Sequence, residues 1–204
     1  MKVLLLNGSP DSNGCVNEGL TVMAKEFEKE NIDYEIIQIG KKPIAGCIGC
    51  ASCKKTGECF QKDIANEIAK KLKDADAFVI GSPVYYASPN GTLLALLDRV
   101  FYQSSNLANK VGASIVSCRR GGATATFDSL NKYFAISNMP IATSNYWNMI
   151  HGSKASDIYK DEEGIQTLRT LAKNIIFLMK SIKLGKENGL EPAYEQKIKT
   201  NYIK

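Results

Sequence analysis

The stretch Lys2-Val3-Leu4-Leu5-Leu6-Asn7-Gly8-Ser9-Pro10 decides the fold. Its apolar run is short, shows no alternation and stops at a Gly-Ser-Pro turn, the pattern of a strand buried on both faces. The residues that follow supply a helix to cover it. Val16, Leu20, Met23, Ala24 and Phe27 recur at helical spacing and predict an amphipathic helix from Cys15 to Glu30. The same alternation then repeats along the chain. Strands are expected at Tyr34 to Ile39, Ala77 to Ile80, Val111 to Ser117 and Ala142 to Trp147. Helices are expected around Ile64 to Leu72, at Leu93 to Phe101, at Ala123 to Ala135, and along Ile165 to Ile182. Five strands alternating with five helices imply an α/β fold, a doubly wound five-stranded parallel sheet with right-handed crossovers. The pattern occupies residues 1–183 as one domain and leaves 184–204 as a tail or arm, a division that suits a chain of 204 residues.

Composition agrees with a globular protein: 44% hydrophobic and 23% charged residues exclude a disordered or collagenous chain. The longest apolar stretches, such as Ile175 to Met179, fall far short of the roughly 18 residues a bilayer span needs, so no membrane association is expected. The N-terminal apolar run ends at Asn7-Gly8 without a cleavage pattern, and the expected compartment is the cytoplasm. Net charge is +5, and six Lys against three Glu between Lys180 and Lys204 account for most of it. A basic tail of this kind is read as solvated surface, and no nucleic-acid partner is expected.

In an open doubly wound sheet, ligands bind beyond the carboxyl ends of the strands at the switch point. Two loops stand there. Gly8-Ser9-Pro10-Asp11-Ser12-Asn13-Gly14-Cys15 offers hydroxyls, backbone N–H groups and a helix N-terminus, which together favour a phosphate. It lacks a Walker lysine and the G-x-G-x-x-G spacing, so nucleoside triphosphate hydrolysis and a Rossmann NAD site are both disfavoured. The plain alternative is a strand-to-helix turn in which Ser12 or Asn13 caps the helix. The second loop, Ser82-Pro83-Val84-Tyr85-Tyr86-Ala87-Ser88-Pro89, is stiffened by two prolines, and its tyrosines present flat faces suited to a planar conjugated ring or simply to packing.

Gly8-Ser9-Pro10, Gly81-Ser82-Pro83-Val84-Tyr85-Tyr86, Leu97-Asp98-Arg99, Asn145-Tyr146-Trp147-Asn148 with His151-Gly152, and Asp161-Glu162-Glu163-Gly164 together resemble the NADPH-dependent FMN reductase family. The resemblance implies a flavodoxin-like fold with strand order 2-1-3-4-5 and noncovalent FMN. It assigns the phosphate to Ser9, Ser12, Asn13, Gly14, Cys15 and Val16, the isoalloxazine to Pro83, Val84, Tyr85 and Tyr86, and the pyrimidine edge to Arg119, Arg120, Gly121 and Gly122. It also implies NAD(P)H as electron donor, a small-molecule or protein redox partner, and a homo-oligomer. One departure stands out. Asp11 occupies a place where the family frequently has a basic residue, and a carboxylate there cannot pair with phosphate.

Four of the six cysteines, Cys47, Cys50, Cys53 and Cys59, lie within thirteen residues. Their readings are thiols without a metal, structural zinc, a disulfide pair, or an iron-sulfur cluster. Disulfides suit a reducing cytoplasm least, and three Cys within seven residues is closer to cluster spacing than to the two separated pairs usual for zinc. The segment resembles the compact cysteine motif of the iron-sulfur flavoprotein family, which implies a [4Fe-4S] cluster beside FMN. Lys54 and Lys55 either offset the cluster's charge or are ordinary loop lysines. Cys15 and Cys118 read as small packing residues, with the reservation that a helix N-terminus lowers a thiol's pKa at Cys15. His151, the only histidine, removes any multi-histidine metal site and reads as a structural residue bonded to backbone. The expected function is an FMN-dependent oxidoreductase in which the flavin carries the chemistry and no side chain is nominated as acid or base. The alternative is a flavodoxin-like carrier that exchanges electrons with protein partners.

Overall fold

In the computed structural model, which describes residues 1–196, 198 and 200, strand β1 spans Lys2–Asn7 and is inaccessible from Val3 to Leu6. Successive side chains of a strand point to opposite faces. Val3 and Leu5 accordingly enter one core and Leu4 and Leu6 the other, which is why the run shows no polar alternation. Helix α1 (Cys15–Lys29) covers the first face through Val16, Leu20, Met23 and Phe27. Strand β2 (Asp33–Gln38) lies along one side of β1, with Leu5 opposite Ile36. The chain then crosses through the cysteine segment, where a single helical turn, α2 (Ser52–Thr56), was not anticipated. Helix α3 (Ile64–Asp74) covers the second face and leads into β3 (Ala77–Tyr85), which pairs with β1 on its other side.

Beyond β3 come a two-residue arm, β4 (Ser88–Pro89), helix α4 (Gly91–Gln103), strand β5 (Val111–Cys118) and helix α5 (Ala123–Ile136). Strand β6 (Met149–His151), a 3-10 turn at Ala155–Lys160 and helix α6 (Glu162–Glu187) complete the described elements. The parallel strands run β2-β1-β3-β5-β6, which is the expected 2-1-3-4-5 order counted over parallel strands, and β4 pairs antiparallel with β3 outside that path. Helices α1 and α6 fill one face; α3, α4 and α5 fill the other. Among the described residues no helix is long and apolar enough to cross a membrane.

Three local expectations change. Residues 82–89 are not an open loop: β3 continues along β5 with Ser82 opposite Val116 and Pro83 opposite Ser117, and Val84 to Pro89 then form a hairpin. The Gly81 carbonyl faces β1, where it accepts the Gly8 N–H at 2.8 Å, and Pro83, two residues on, faces the same side. The register of β1 with β3 ends at Gly81, so the missing Pro83 N–H costs no ladder bond.

The fifth parallel strand is Met149–His151 and not Ala142–Trp147. The chain touches β5 at Ile141, opposite Gly112, then leaves it until Met149. Short polar side chains hold the excursion, one by a local bond and one by a bond across to β5 in place of a ladder. Asn148 Nδ2 donates to the Ser114 carbonyl at 3.1 Å, and Ser144 Oγ donates to Asn148 Oδ1 at 2.6 Å. Tyr146 and Trp147 are thereby left exposed.

Helix α6 starts at Glu162, where Asp161 Oδ1 accepts the Gly164 N–H at 2.9 Å, and runs through Lys183 to Glu187. Gly189, at φ +76°, ends it, and Tyr194 Oη accepts from Asn109 Nδ2 at 2.8 Å. Positions 197, 199 and 201–204 of the expected tail lie outside the described residues.

Candidate functional site

The carboxyl ends of β1 and β3 meet at two glycines. A Cβ on Gly8 would lie 2.6 Å from the Gly81 carbonyl oxygen, and one on Gly81 would lie 2.7 Å from Val16 Cγ1, so neither position has room for a side chain. Asn90 fastens the two loops. Its Nδ2 donates to the Gly8 carbonyl at 2.9 Å, while its own N–H donates to Ser82 Oγ at 3.1 Å. Asn90 also caps α4 through the Thr92 N–H at 3.1 Å. On the outer side, Asn7 Oδ1 accepts the Ser9 N–H at 3.0 Å and Gln38 Nε2 donates to the Ser9 carbonyl at 2.6 Å.

Within the first loop the expected caps do not form. Helix α1 begins after Gly14 with no side chain capping it, so its first-turn N–H groups have no side-chain partner. Ser12 and Asn13 are exposed at the rim, Ser9 is buried, and the Val16 side chain belongs to the core. For Cys15 and Val16, then, the group offered to a ligand is the backbone N–H. Asp11 has a clear structural part: its Oδ1 accepts the Asn13 N–H at 2.9 Å, an Asx turn, and its own N–H donates to Ser9 Oγ at 3.1 Å. Its carboxylate stands over Gly14, where a Cβ would be 3.3 Å from Oδ2.

The second loop is a tight hairpin whose two central residues, Tyr86 and Ala87, have φ of +51° and +57°. Left-handed conformations cost a residue with a Cβ roughly 1–2 kcal/mol. Tyr86 is fully exposed and Tyr85 about half so. Gly122, at φ +85°, packs under the turn: a Cβ there would lie 2.9 Å from Ala87 Cα and 3.0 Å from Val84 Cγ1. Gly122 is thus brought against the aromatic hairpin, while Arg119, Arg120 and Gly121 are exposed. Among the described residues neither arginine enters an ion pair.

His151 is bonded to a carboxylate, not to backbone through its ring. Asp161 Oδ2 accepts the His151 N–H at 2.8 Å and stands 3.0 Å from its Nδ1. Burial works against the Asp161 charge, but the Gly164 N–H and both groups of His151 outweigh it and hold the carboxyl below its ordinary range. A Cβ on Gly152 would lie 3.1 Å from Cys15 Sγ, which places the β6 end beside the first loop. Burial raises the Cys15 thiol despite a hydrogen bond with Ser117, the opposite direction from the lowering that a helix N-terminus favours. Burial raises Cys118 likewise.

The four clustered cysteines line a single cavity that also touches Phe60, Arg99 and Tyr102. Its empty space is about 320 Å³ counting the part open to solvent. Cys47 and Cys50 are exposed, Cys53 and Cys59 half-buried, and all six cysteines are free thiols. Among the described residues no group of three or more His, Cys, Asp or Glu side chains is placed to hold a metal ion. Four cysteine sulfurs on one cavity wall are the donor set of an iron-sulfur cluster and equally of a zinc site.

Sequence reasoning missed the wall of this cavity. Arg99 is fully buried on α4, and its guanidinium binds Asp63 through two contacts of 2.5 and 2.9 Å. Gln103 Oε1 accepts the Cys59 N–H at 2.8 Å, and Asn66 Nδ2 donates to the Cys59 carbonyl at 2.9 Å. Lys54 lies over Tyr102, 4.3 Å from the ring centroid. Among the described residues the buried side-chain polar atoms without a partner are Asn66 Oδ1, Arg99 Nε and Ser104 Oγ, all on residues that border the cysteine segment or its contacts. The available signal was Arg99 itself, a charge amid the apolar positions Leu93, Leu96, Leu97 and Val100.

A family model described as NADPH-dependent FMN reductase matches residues 1–154. An iron-sulfur flavoprotein of Methanocaldococcus jannaschii is 34% identical over 199 residues, covering 90% of this chain and 100% of the relative. One of Archaeoglobus fulgidus is 33% identical over 203 residues, covering 92% and 100%. Among solved structures, a flavone reductase superposes with a TM-score of 0.69 at 17% identity over 90% of this chain and 64% of that one. An archaeal flavodoxin gives 0.54 at 15% identity over 85% and 99%. These structural likenesses show the flavodoxin-like fold.

Proposed function

The chain belongs to the NADPH-dependent FMN reductase family, and from that premise we propose an oxidoreductase that binds FMN at the Gly8–Val16 loop and the Pro83–Tyr86 hairpin and carries a [4Fe-4S] cluster on Cys47, Cys50, Cys53 and Cys59. FMN supplies two-electron and one-electron redox chemistry, and the cluster supplies one-electron transfer. The observation that carries the FMN reading is the uncapped start of α1 beneath Ser12, Asn13 and Gly14, which leaves the helix N-terminus open to a phosphate.

The protein's own part is binding and orientation. Asn7, Gln38 and Asn90 hold the phosphate loop in register with β3, so the N–H groups of Gly14 to Val16 are aimed before the ligand arrives. The hairpin, braced by Gly122, holds Tyr85 and Tyr86 at the same sheet edge, where their rings support a planar ring system. Arg119 and Arg120, free of ion pairs among the described residues, place positive charge next to Gly121 and Gly122, which suits a reduced, anionic flavin edge. The cluster reading rests on the four thiols sharing one cavity walled by a buried arginine. Cysteine ligands act as thiolates, so a reducing compartment such as the cytoplasm suits them.

A nicotinamide is the proposed donor, and a small molecule or a redox protein the acceptor. The exposed Tyr85 and Tyr86 mark the edge at which a partner or a second copy of the chain meets the flavin. Anaerobically purified protein should be coloured by flavin and should bind added FMN after stripping. Iron and acid-labile sulfide should each approach four per chain. NAD(P)H oxidation by the holoprotein separates a reductase from a carrier. A colourless protein that takes up no FMN would overturn the flavin reading, and absence of both iron and sulfide would overturn the cluster reading.

A further inference from the structure

Arg99 ties together the two ends of the cysteine segment. Its Nη1 donates to the Ala45 carbonyl at 3.3 Å, two residues before Cys47, and its Nη2 donates to the Gln61 carbonyl at 2.7 Å, two residues after Cys59. The same guanidinium grips Asp63, which caps α3 by accepting the Ala65 N–H at 3.0 Å. The base of a seventeen-residue excursion is thus closed on one side chain with no exposed surface. Burying a guanidinium is costly unless its donors are matched. Four contacts match the two Nη groups, yet Nε remains without a partner. Arg99 also lines the cavity that the four thiols share, and the Cys59 thiol lies beside it.

We propose that Arg99 is a positioning residue for the sulfur-ligated group: it staples the cysteine segment closed and directs its Nε–H at the sulfur on the Cys59 side. This rests on the reading that the cysteines hold an iron-sulfur cluster. Hydrogen bonds to sulfur and nearby charge set cluster potentials. A buried positive charge favours the reduced form, which carries one more negative charge. Asp63 acts in the opposite sense, because its carboxylate offsets part of the arginine's field. The pair therefore predicts changes of opposite sign, which loss of structure does not produce.

The test uses anaerobically purified holoprotein, with iron and sulfide counted first and the cluster potential then read by mediated titration under electron paramagnetic resonance. In Arg99→Gln the reduced-to-oxidised ratio at the native midpoint should fall about tenfold, a shift of about 59 mV for one electron. In Asp63→Asn, which keeps a good helix cap, the ratio should rise by a similar factor. Should Arg99→Gln fail to accumulate, the sign of the Asp63→Asn shift decides by itself. Unchanged potentials, or shifts of the same sign in both variants, would overturn the role of Arg99 while leaving the cluster in place. A native protein without iron and sulfide would instead remove the cluster reading on which this role depends.

Discussion

Replacing Asp11 by Asn removes a negative charge from the rim of the loop proposed to hold the phosphate and leaves its geometry in place. The Asn side-chain carbonyl accepts the Asn13 N–H as Asp11 Oδ1 does now at 2.9 Å, so the Asx turn survives. The carboxylate stands over Gly14, at the mouth of the uncapped helix. With about two charges on the phosphate, a separation of about 6 Å and an effective dielectric of about 60, the repulsion is roughly 2 kcal/mol. Screening at physiological salt, with a Debye length of about 8 Å, reduces this to roughly 1 kcal/mol, or about fivefold in affinity. The assay is quenching of flavin fluorescence as stripped protein is titrated with FMN and, separately, with riboflavin, which has no phosphate. FMN should bind Asp11→Asn about fivefold more tightly, with the gain shrinking as salt rises, while riboflavin affinity stays constant. An equal change for both flavins, or none for FMN, would refute the placement of the phosphate at this loop.

Gly122→Ala introduces a Cβ 2.9 Å from Ala87 Cα at a positive φ, so thermal denaturation should show a loss of roughly 2–4 kcal/mol, and FMN binding should weaken as the hairpin shifts. On the proposed sites, Cys53→Ala should abolish cluster absorbance and leave flavin absorbance intact, because the cavity of the thiols includes no residue of the Gly8–Val16 loop or the Pro83–Tyr86 hairpin; joint loss of both signals would contradict that separation. Asp161 has a folded-state pKa below its ordinary value, so its contribution to stability is present above about pH 4 and is lost as pH falls through the depressed folded value. Denaturant melts of Asp161→Asn should therefore show a shallower loss of stability below about pH 4 than the parent protein; identical acid profiles would contradict the sign.

The sheet was legible because burial writes itself into residue type. A strand covered on both faces is mostly apolar, as Val3 to Leu6 are throughout, and the order of apolar runs and helical repeats then leaves few topologies. The one strand misplaced, β6, is three residues long and follows a polar excursion that Asn148 fastens to β5 through both its side chain and its carbonyl. A run of local type cannot reveal that competition, since the Ser114 carbonyl it satisfies lies thirty-four residues away.

The same division holds at the site. Residue identity by itself determined that a helix N-terminus follows β1, that hydroxyls and backbone N–H groups gather in the loop before it, and that four thiols lie close along the chain. Tertiary structure alone decided which groups those features face. Asp11 became a turn residue over the helix mouth, Gly122 a brace beneath the tyrosine hairpin, and Arg99 the buried charge that closes the cysteine segment. Asp11 acts on neighbours two and three residues away, but Gly122 and Arg99 depend on partners 35 to 54 residues distant, and contacts of that length exist only once the two cores have packed. Proximity along the chain thus specified the chemistry on offer, and packing specified where its charges stand.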